Sequence, residues 1–227
     1  MTNGSYFAFH TVDWNSMWGA TWETIWMTLV SMVVVVILGI LLGLLLFETG
    51  DSNNFFAKAL NWLVSLFVNV FRSIPFIILI LLLLPITKNL VGTIIGPTAA
   101  LPSLIVSAAP FYARMVEVAL HEIDHGVIEA AEAMGASETQ IILKVLIPES
   151  MPALVSEATV TTISLIGYTA MAGAIGAGGL GNLAYIDGFE TNNNTIVLVA
   201  TVIIVLIVFV FQFIGDFLVR RIDKRTL

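Results

Sequence analysis

The segment His121-Glu122-Ile123-Asp124-His125 sets two imidazoles four residues apart with a carboxylate directly after the first. That is the order in which one helix face offers two zinc ligands and a general base. Hydrolysis at such a centre also needs a third ligand and an open position for water, and the sequence offers no evident third ligand. With no cysteine, a thiolate metal site and a disulfide framework are both excluded. The run Gly176-Ala177-Gly178-Gly179-Leu180-Gly181 has the glycine content of a phosphate-cradling turn. No Gly-Lys-Ser or Gly-Lys-Thr occurs and no strand precedes it, so a helix break followed by an outer loop is the better account.

The remaining chemistry-bearing residues are charges in apolar surroundings. Arg72, Glu117 and Glu157 lie in or beside long apolar stretches, where an ion is costly unless it is paired or faces water. Arg72 reads in two ways. It is a counter-charge for a substrate carboxylate, or a structural partner of Glu117, Glu157 or a backbone carbonyl at the inner end of a helix bundle, where its long stem could also snorkel. Glu157 reads as a partner of Arg72 or Arg114, or as an interface residue at the start of its span.

The elements that must hold these residues are membrane helices. Charged residues make up 11% of the chain and apolar ones 58%, whereas a soluble domain keeps about a quarter of its residues charged. A helix crosses a hydrocarbon core with roughly 20 apolar residues, and several stretches are that long. The alternation of an outer-membrane barrel is missing, so the fold class is all-α integral membrane protein. Spans are expected over 24–47, 62–86, 97–119, 153–173 and 195–217, giving five transmembrane helices. Trp14, Trp18, Trp22 and Trp26 share one helical face and form an interfacial aromatic belt ahead of the first span. Residues 1–15 hold no Lys or Arg, so the first span is expected to insert as a permanent helix. A polar break with Glu48, Gly50, Asp51 and Asn54 follows it.

Five crossings place the termini on opposite sides. Arg220, Arg221, Lys224 and Arg225 set the C-terminus in the cytoplasm, and the N-terminus is then outside. Lys58 and Lys144 fall in the two inner loops, while Lys88 is the one lysine of the outer segments. The net charge of −7 carries little weight in this rule and gives no support to nucleic-acid binding.

Residues 120–151 form a polar interval that faces the cytoplasm in this topology. Two short helices are expected in it. The first, over 125–134, sets Val127, Ala130, Ala131 and Met134 on one face, and Gly135 supplies the left-handed residue that ends it. Ser137 with Gln140 reads as a capping box opening the second, and Pro148 is expected to stop that helix before the fourth span. Such a hairpin can dock into a groove of a partner or lie on headgroups. Glu122, Asp124, Glu129, Glu132 and Glu138 would meet an anionic leaflet, which disfavours the second choice.

The pattern Glu129-Ala130-Ala131, Gly135 and Val145-Leu146-Ile147-Pro148 resembles the coupling-loop signature of permeases of bacterial binding-protein-dependent ABC importers, with Val145 and Ile147 as apolar replacements of similar shape. Over about 22–219 the chain resembles the methionine-importer permeases, through Phe71-Arg72-Ser73-Ile74-Pro75-Phe76, Ala109-Pro110-Phe111-Tyr112-Ala113-Arg114 and Gly167-Tyr168-Thr169-Ala170-Met171. The resemblance implies a type I ABC importer permease fold in the bacterial plasma membrane. It implies a homodimer working with two ATP-binding cassette ATPase subunits and an extracellular substrate-binding lipoprotein, and import of L- and D-methionine; another amino acid or small solute is the alternative. The permease itself is then no enzyme and holds no cofactor, ATP being bound by the partner. Glu129, Ala130, Ala131, Gly135 and Pro148 would couple to the ATPase, and Met171, Tyr168 and Arg72 would line the translocation pathway and its gate. Residues 1–20 then form an extracellular segment to which no role is assigned, 21–219 the permease domain, and 220–227 a cytoplasmic tail.

Overall fold

The computed structural model describes residues 5–50 and 52–223; Asp51, Lys224 and Arg225 lie outside the described residues. Every regular element among those described is helical. The tryptophan lead-in and the first span form one uninterrupted helix, α1 (Trp14–Gly50), about 55 Å long at 1.5 Å per residue. Trp14, Trp18 and Trp22 are exposed, whereas Trp26 packs against the core. The buried face of α1 is small and hydroxylated. Thr21, Thr24 and Thr28 are buried and donate to the carbonyls of Met17, Ala20 and Thr24 one turn back, so these polar groups carry their own partners inside the bundle.

That face lets α4 (Pro97–His121) approach closely. A Cβ on Gly39 would sit 2.5 Å from Tyr112 Cδ1, and one on Gly43 2.6 Å from the Val116 side chain. The two contacts advance together along both helices, so α1 and α4 run parallel.

The second apolar stretch is split into α2 (Phe55–Ser73) and α3 (Phe76–Val91). Pro75 cannot donate to a preceding carbonyl and pushes Ile74 out of the helical region, to ψ 123°. Asn61 fixes the start of α2 against the end of α1, donating to Leu46 O at 3.1 Å and Thr49 Oγ1 at 3.0 Å. Beyond α3, Gly96 N–H donates to Gly176 O at the opposite end of the bundle. Together α2 and α3 therefore reach from one end to the other.

Two short helices follow, α5 (His125–Ala133) and α6 (Glu138–Ile141). Asp124 caps the first by accepting Gly126 N–H, and the Ser137–Gln140 capping box is formed in both directions. Pro148 does not end the second helix, contrary to the sequence reading. A π-helical turn, Ile142–Leu146, carries α6 directly into α7 (Ile147–Gly173), and Pro148 lies in the first turn of α7. The wider turn leaves room for a ring that lacks an N–H, and the start of a helix is where proline is tolerated.

By length and composition, α1, α2, α4 and α9 (Asn194–Ile222) are apolar enough to cross a membrane, and α3 is a shorter apolar helix. The fourth expected span, α7, is long but rich in serine and threonine; Thr159, Thr161 and Thr162 donate to carbonyls four residues back. Between α7 and α9 lie one short turn of helix, α8 (Gly179–Asn182), and a π-helical segment, Leu183–Glu190. Ahead of α1, the chain is fastened to the start of α9. Ala8 N–H donates to Thr195 Oγ1, whose hydroxyl donates to Ser5 O, and Asn193 Nδ2 donates to Thr11 Oγ1.

Candidate functional site

The hairpin of α5 and α6 lies at the end of the bundle where α1 and α4 finish. His121 packs its ring on Phe47, with centroids 4.9 Å apart, and Glu138 is near enough to Glu48 for the two carboxylates to repel. Ile123, Ala131 and Ile141 are buried and Ile128 packs against the same core. The expected single face of α5 is therefore split. Ala131 turns inward with Ile128 three residues before it, while Val127, Ala130 and Met134 turn outward. Met134 is 83% exposed and Val127 43%. The reason is that two apolar rows lie on this short helix, and the one carrying Ile128 meets the membrane helices. Glu129 and Glu132 are also exposed beside the outward row. Gly135 has φ 81° and its N–H donates to Glu132 O at 2.8 Å, as the left-handed ending requires.

A cavity of about 610 Å³ opens at the break between α2 and α3, lined by Asn69, Arg72, Ser73, Ser107, Phe111 and Tyr168 among others. Tyr168 stacks on Phe76 with centroids 4.7 Å apart and planes 10° from parallel. Arg72 and Tyr168, which the sequence reading put on one pathway, therefore line one cavity; Met171, half exposed, follows three residues after Tyr168 on the same side of α7.

Neither expected acid pairs with Arg72. Glu117 is held by Arg114, whose Nη1 lies 2.8 Å from both carboxylate oxygens, and no ion pair joins Glu157 to Arg72 or Arg114 among the described residues. The guanidinium instead stands over the Phe111 ring, 5.8 Å from its centroid, in cation–π range. Nor is Arg72 at the end of the bundle. It lies eleven residues beyond Asn61, about 16 Å along α2, with all of α3 still ahead of it.

The glycine run is a tightly tied turn. Glu23 accepts Gly179 N–H at 2.7 Å, and Thr24 Oγ1 accepts Leu180 N–H at 2.9 Å. Asn182 Nδ2 returns to Gly173 O at 3.0 Å, and a Cβ on Gly181 would collide with the Ala170 carbonyl. Gly178 and Gly179 have φ of 79° and 73°, so this turn needs glycine for its backbone as well as for its closeness. Sequence reasoning assigned nothing to Glu23; the signal available was a carboxylate immediately ahead of the uncharged run 24–47 of α1.

Comparison with known proteins agrees with this architecture. Residues 36–227 match the family described as binding-protein-dependent transport system inner membrane component. The chain is 61% identical over 180 residues to the methionine import system permease protein of Bacillus subtilis, covering 79% of this chain and 81% of the relative. It is 48% identical over 179 residues to a probable D-methionine transport system permease protein of Pasteurella multocida, covering 79% and 82%. A solved structure of an inward-facing methionine ABC transporter superposes with a TM-score of 0.85 at 48% identity, covering 89% of this chain and 94% of the solved one.

Proposed function

The chain belongs to the family of inner membrane components of binding-protein-dependent transport systems, and from that premise we propose that it is the permease subunit of an ATP-driven methionine importer. It is a multi-pass protein of the plasma membrane that works with ATPase subunits and carries out transport, with ATP hydrolysis left to those partners. Within this reading the α5–α6 hairpin is the element the ATPase grips. The observation that carries it is the outward row of Val127, Ala130 and Met134, apolar yet exposed on a polar loop and flanked by Glu129 and Glu132. Exposed apolar surface of this kind marks a protein interface.

The finer features follow from the same premise. The chain crosses five times, with α2 and α3 as two halves of one crossing and α7 as another; the hydroxyls of Thr159, Thr161, Thr162, Ser164 and Thr169 donate to carbonyls of α7 itself, which makes that helix tolerable in lipid. Lys58, Lys144, Arg220 and Arg221 lie toward the hairpin end and Lys88 toward the other, which supports a cytoplasmic hairpin and C-terminus and an external N-terminus. Two copies of the chain form the pathway, and an external substrate-binding lipoprotein delivers methionine to it. Met171 and Tyr168 narrow that pathway. Uptake of labelled methionine by the reconstituted complex tests the reading: it requires ATP, and it fails when Glu129 or Gly135 is replaced by a bulky residue although the membrane helices still fold. Uptake that continues without ATP overturns it.

A further inference from the structure

A guanidinium in the last turn of α2, midway through the α2–α3 crossing, with no acidic partner among the described residues, needs another anion or water to offset its desolvation. The surroundings of Arg72 are suited to one kind of anion. The Asn69 amide can donate beside it, and the Ser73 hydroxyl, which already donates to Asn69 O at 2.7 Å, keeps lone pairs free to accept from an ammonium group. Phe111, whose ring edge the cavity reaches beside the guanidinium, and Tyr168, stacked on Phe76, supply aromatic walls of the same cavity, the kind of surface that a thioether contacts favourably. Its volume of about 610 Å³ is ample for an amino acid, and it opens where the helix is already interrupted at Pro75, so binding a solute there breaks no further backbone bonds.

We propose that this cavity is a transit site at which Arg72 binds the carboxylate of the amino acid being transported, while Ser73 receives its ammonium group and Phe111 and Tyr168 hold its side chain. The proposal rests on the import reading above and adds that the permease recognises its substrate directly. A two-pronged guanidinium–carboxylate contact also fixes orientation, which lysine as a point charge would reproduce only in part.

The absence of cysteine makes a direct test available, because Ile74→Cys introduces a single thiol into this subunit, in the lining of the same cavity and at a residue given no part in binding. In the assembled complex in nanodiscs, the modification of position 74 by a small thiol reagent is followed by mass spectrometry. L-Methionine at about ten times its Kd is expected to slow the reaction about tenfold, since occupancy sets the protection, and methioninol at the same concentration, which keeps the amine and side chain but lacks the carboxylate, to leave it nearly unchanged. Arg72→Gln in the same background abolishes the protection and Arg72→Lys retains part of it. Equal protection by methioninol, protection that survives Arg72→Gln, or no protection by methionine overturns the proposal. ATP-dependent uptake by the unaltered complex is measured alongside. Its failure counts against the import reading alone, since the thiol assay does not depend on turnover.

Discussion

The Glu23 carboxylate accepts the backbone N–H of Gly179 at 2.7 Å, tying the first helix to the turn that follows α7. Thr24 repeats the tie one residue on, so two adjacent side chains of α1 satisfy two adjacent N–H groups of the glycine turn. The turn cannot satisfy them itself, because its N–H groups open a new helix at Gly179. Replacing Glu23 by Ala is expected to cost about 1–3 kcal/mol, the range for leaving a partly buried donor without its partner, and Glu23→Gln less, since its carbonyl still accepts. Thermal denaturation of the purified protein in detergent measures both; a parental Tm in both variants would show that charge and acceptor contribute nothing.

Backbone contact makes a harsher prediction at Gly181. A Cβ there meets the Ala170 carbonyl, which is main chain and cannot swing aside. Gly181→Ala should fail to accumulate in the membrane, whereas Gly19→Ala, with nothing within 4 Å of the new atom, should accumulate normally. Quantified expression of the pair decides this, and comparable yields would mean that α8 can move away from α7.

These ties explain what a linear reading could and could not reach. Local rules are enough for the hairpin: the Ser137–Gln140 capping box and Gly135 at φ 81° each depend on a few neighbouring residues. The partner of Glu23 lies 156 residues away, and the partner of Ala8 is 187 away, so no periodicity could announce them. Of the two readings of Arg72, pairing with Glu117 or Glu157 is the one the structure does not show, for a related reason: residue type alone does not say which base holds an acid, and Arg114 holds Glu117 from three residues away on its own helix. The inward turn of Ala131 was also hidden, because two apolar rows on a helix of nine residues are equivalent until the core selects one.

The outward row of α5 separates folding from partnership. Met134 is 83% exposed, so Met134→Glu removes almost no buried area and should leave the stability of the isolated permease within about 0.5 kcal/mol of the parent. The same charge placed in an apolar contact would go unpaired on docking, which costs several kcal/mol and should abolish copurification with the ATPase. Retention of the ATPase at parental stoichiometry would show that the grip lies elsewhere on the loop.

Gly135 tests coupling through backbone geometry. Any side chain there must adopt φ 81°, at a cost of roughly 1–2 kcal/mol for a non-glycine residue, yet nothing within 4 Å obstructs a Cβ. Gly135→Val should therefore re-angle the α5–α6 hairpin without unfolding the bundle. The expected outcome is a complex that still hydrolyses ATP but imports little methionine, read as the ratio of transport to hydrolysis; a ratio unchanged from the parent would mean the hairpin angle carries no part of the coupling.

Met171 is half exposed in the single chain and sits one turn beyond Tyr168, whose ring is pinned flat against Phe76. The fixed ring and the free thioether differ in kind: stacking holds Tyr168 in one position, while an unbranched side chain with several rotatable bonds can close a narrow path and withdraw from it. If the two copies of the chain meet along this side of α7, a pair of Met171 side chains seals the path when no substrate is moving. Met171→Ala shortens the seal without disturbing the core, because Met171 is half exposed and belongs to neither buried cluster. Proteoliposomes holding the complex and preloaded with labelled methionine should then leak in the absence of ATP, and Met171→Leu, close in volume, should stay tight. Equal retention by the alanine variant would move the gate to Tyr168 and its stacked partner.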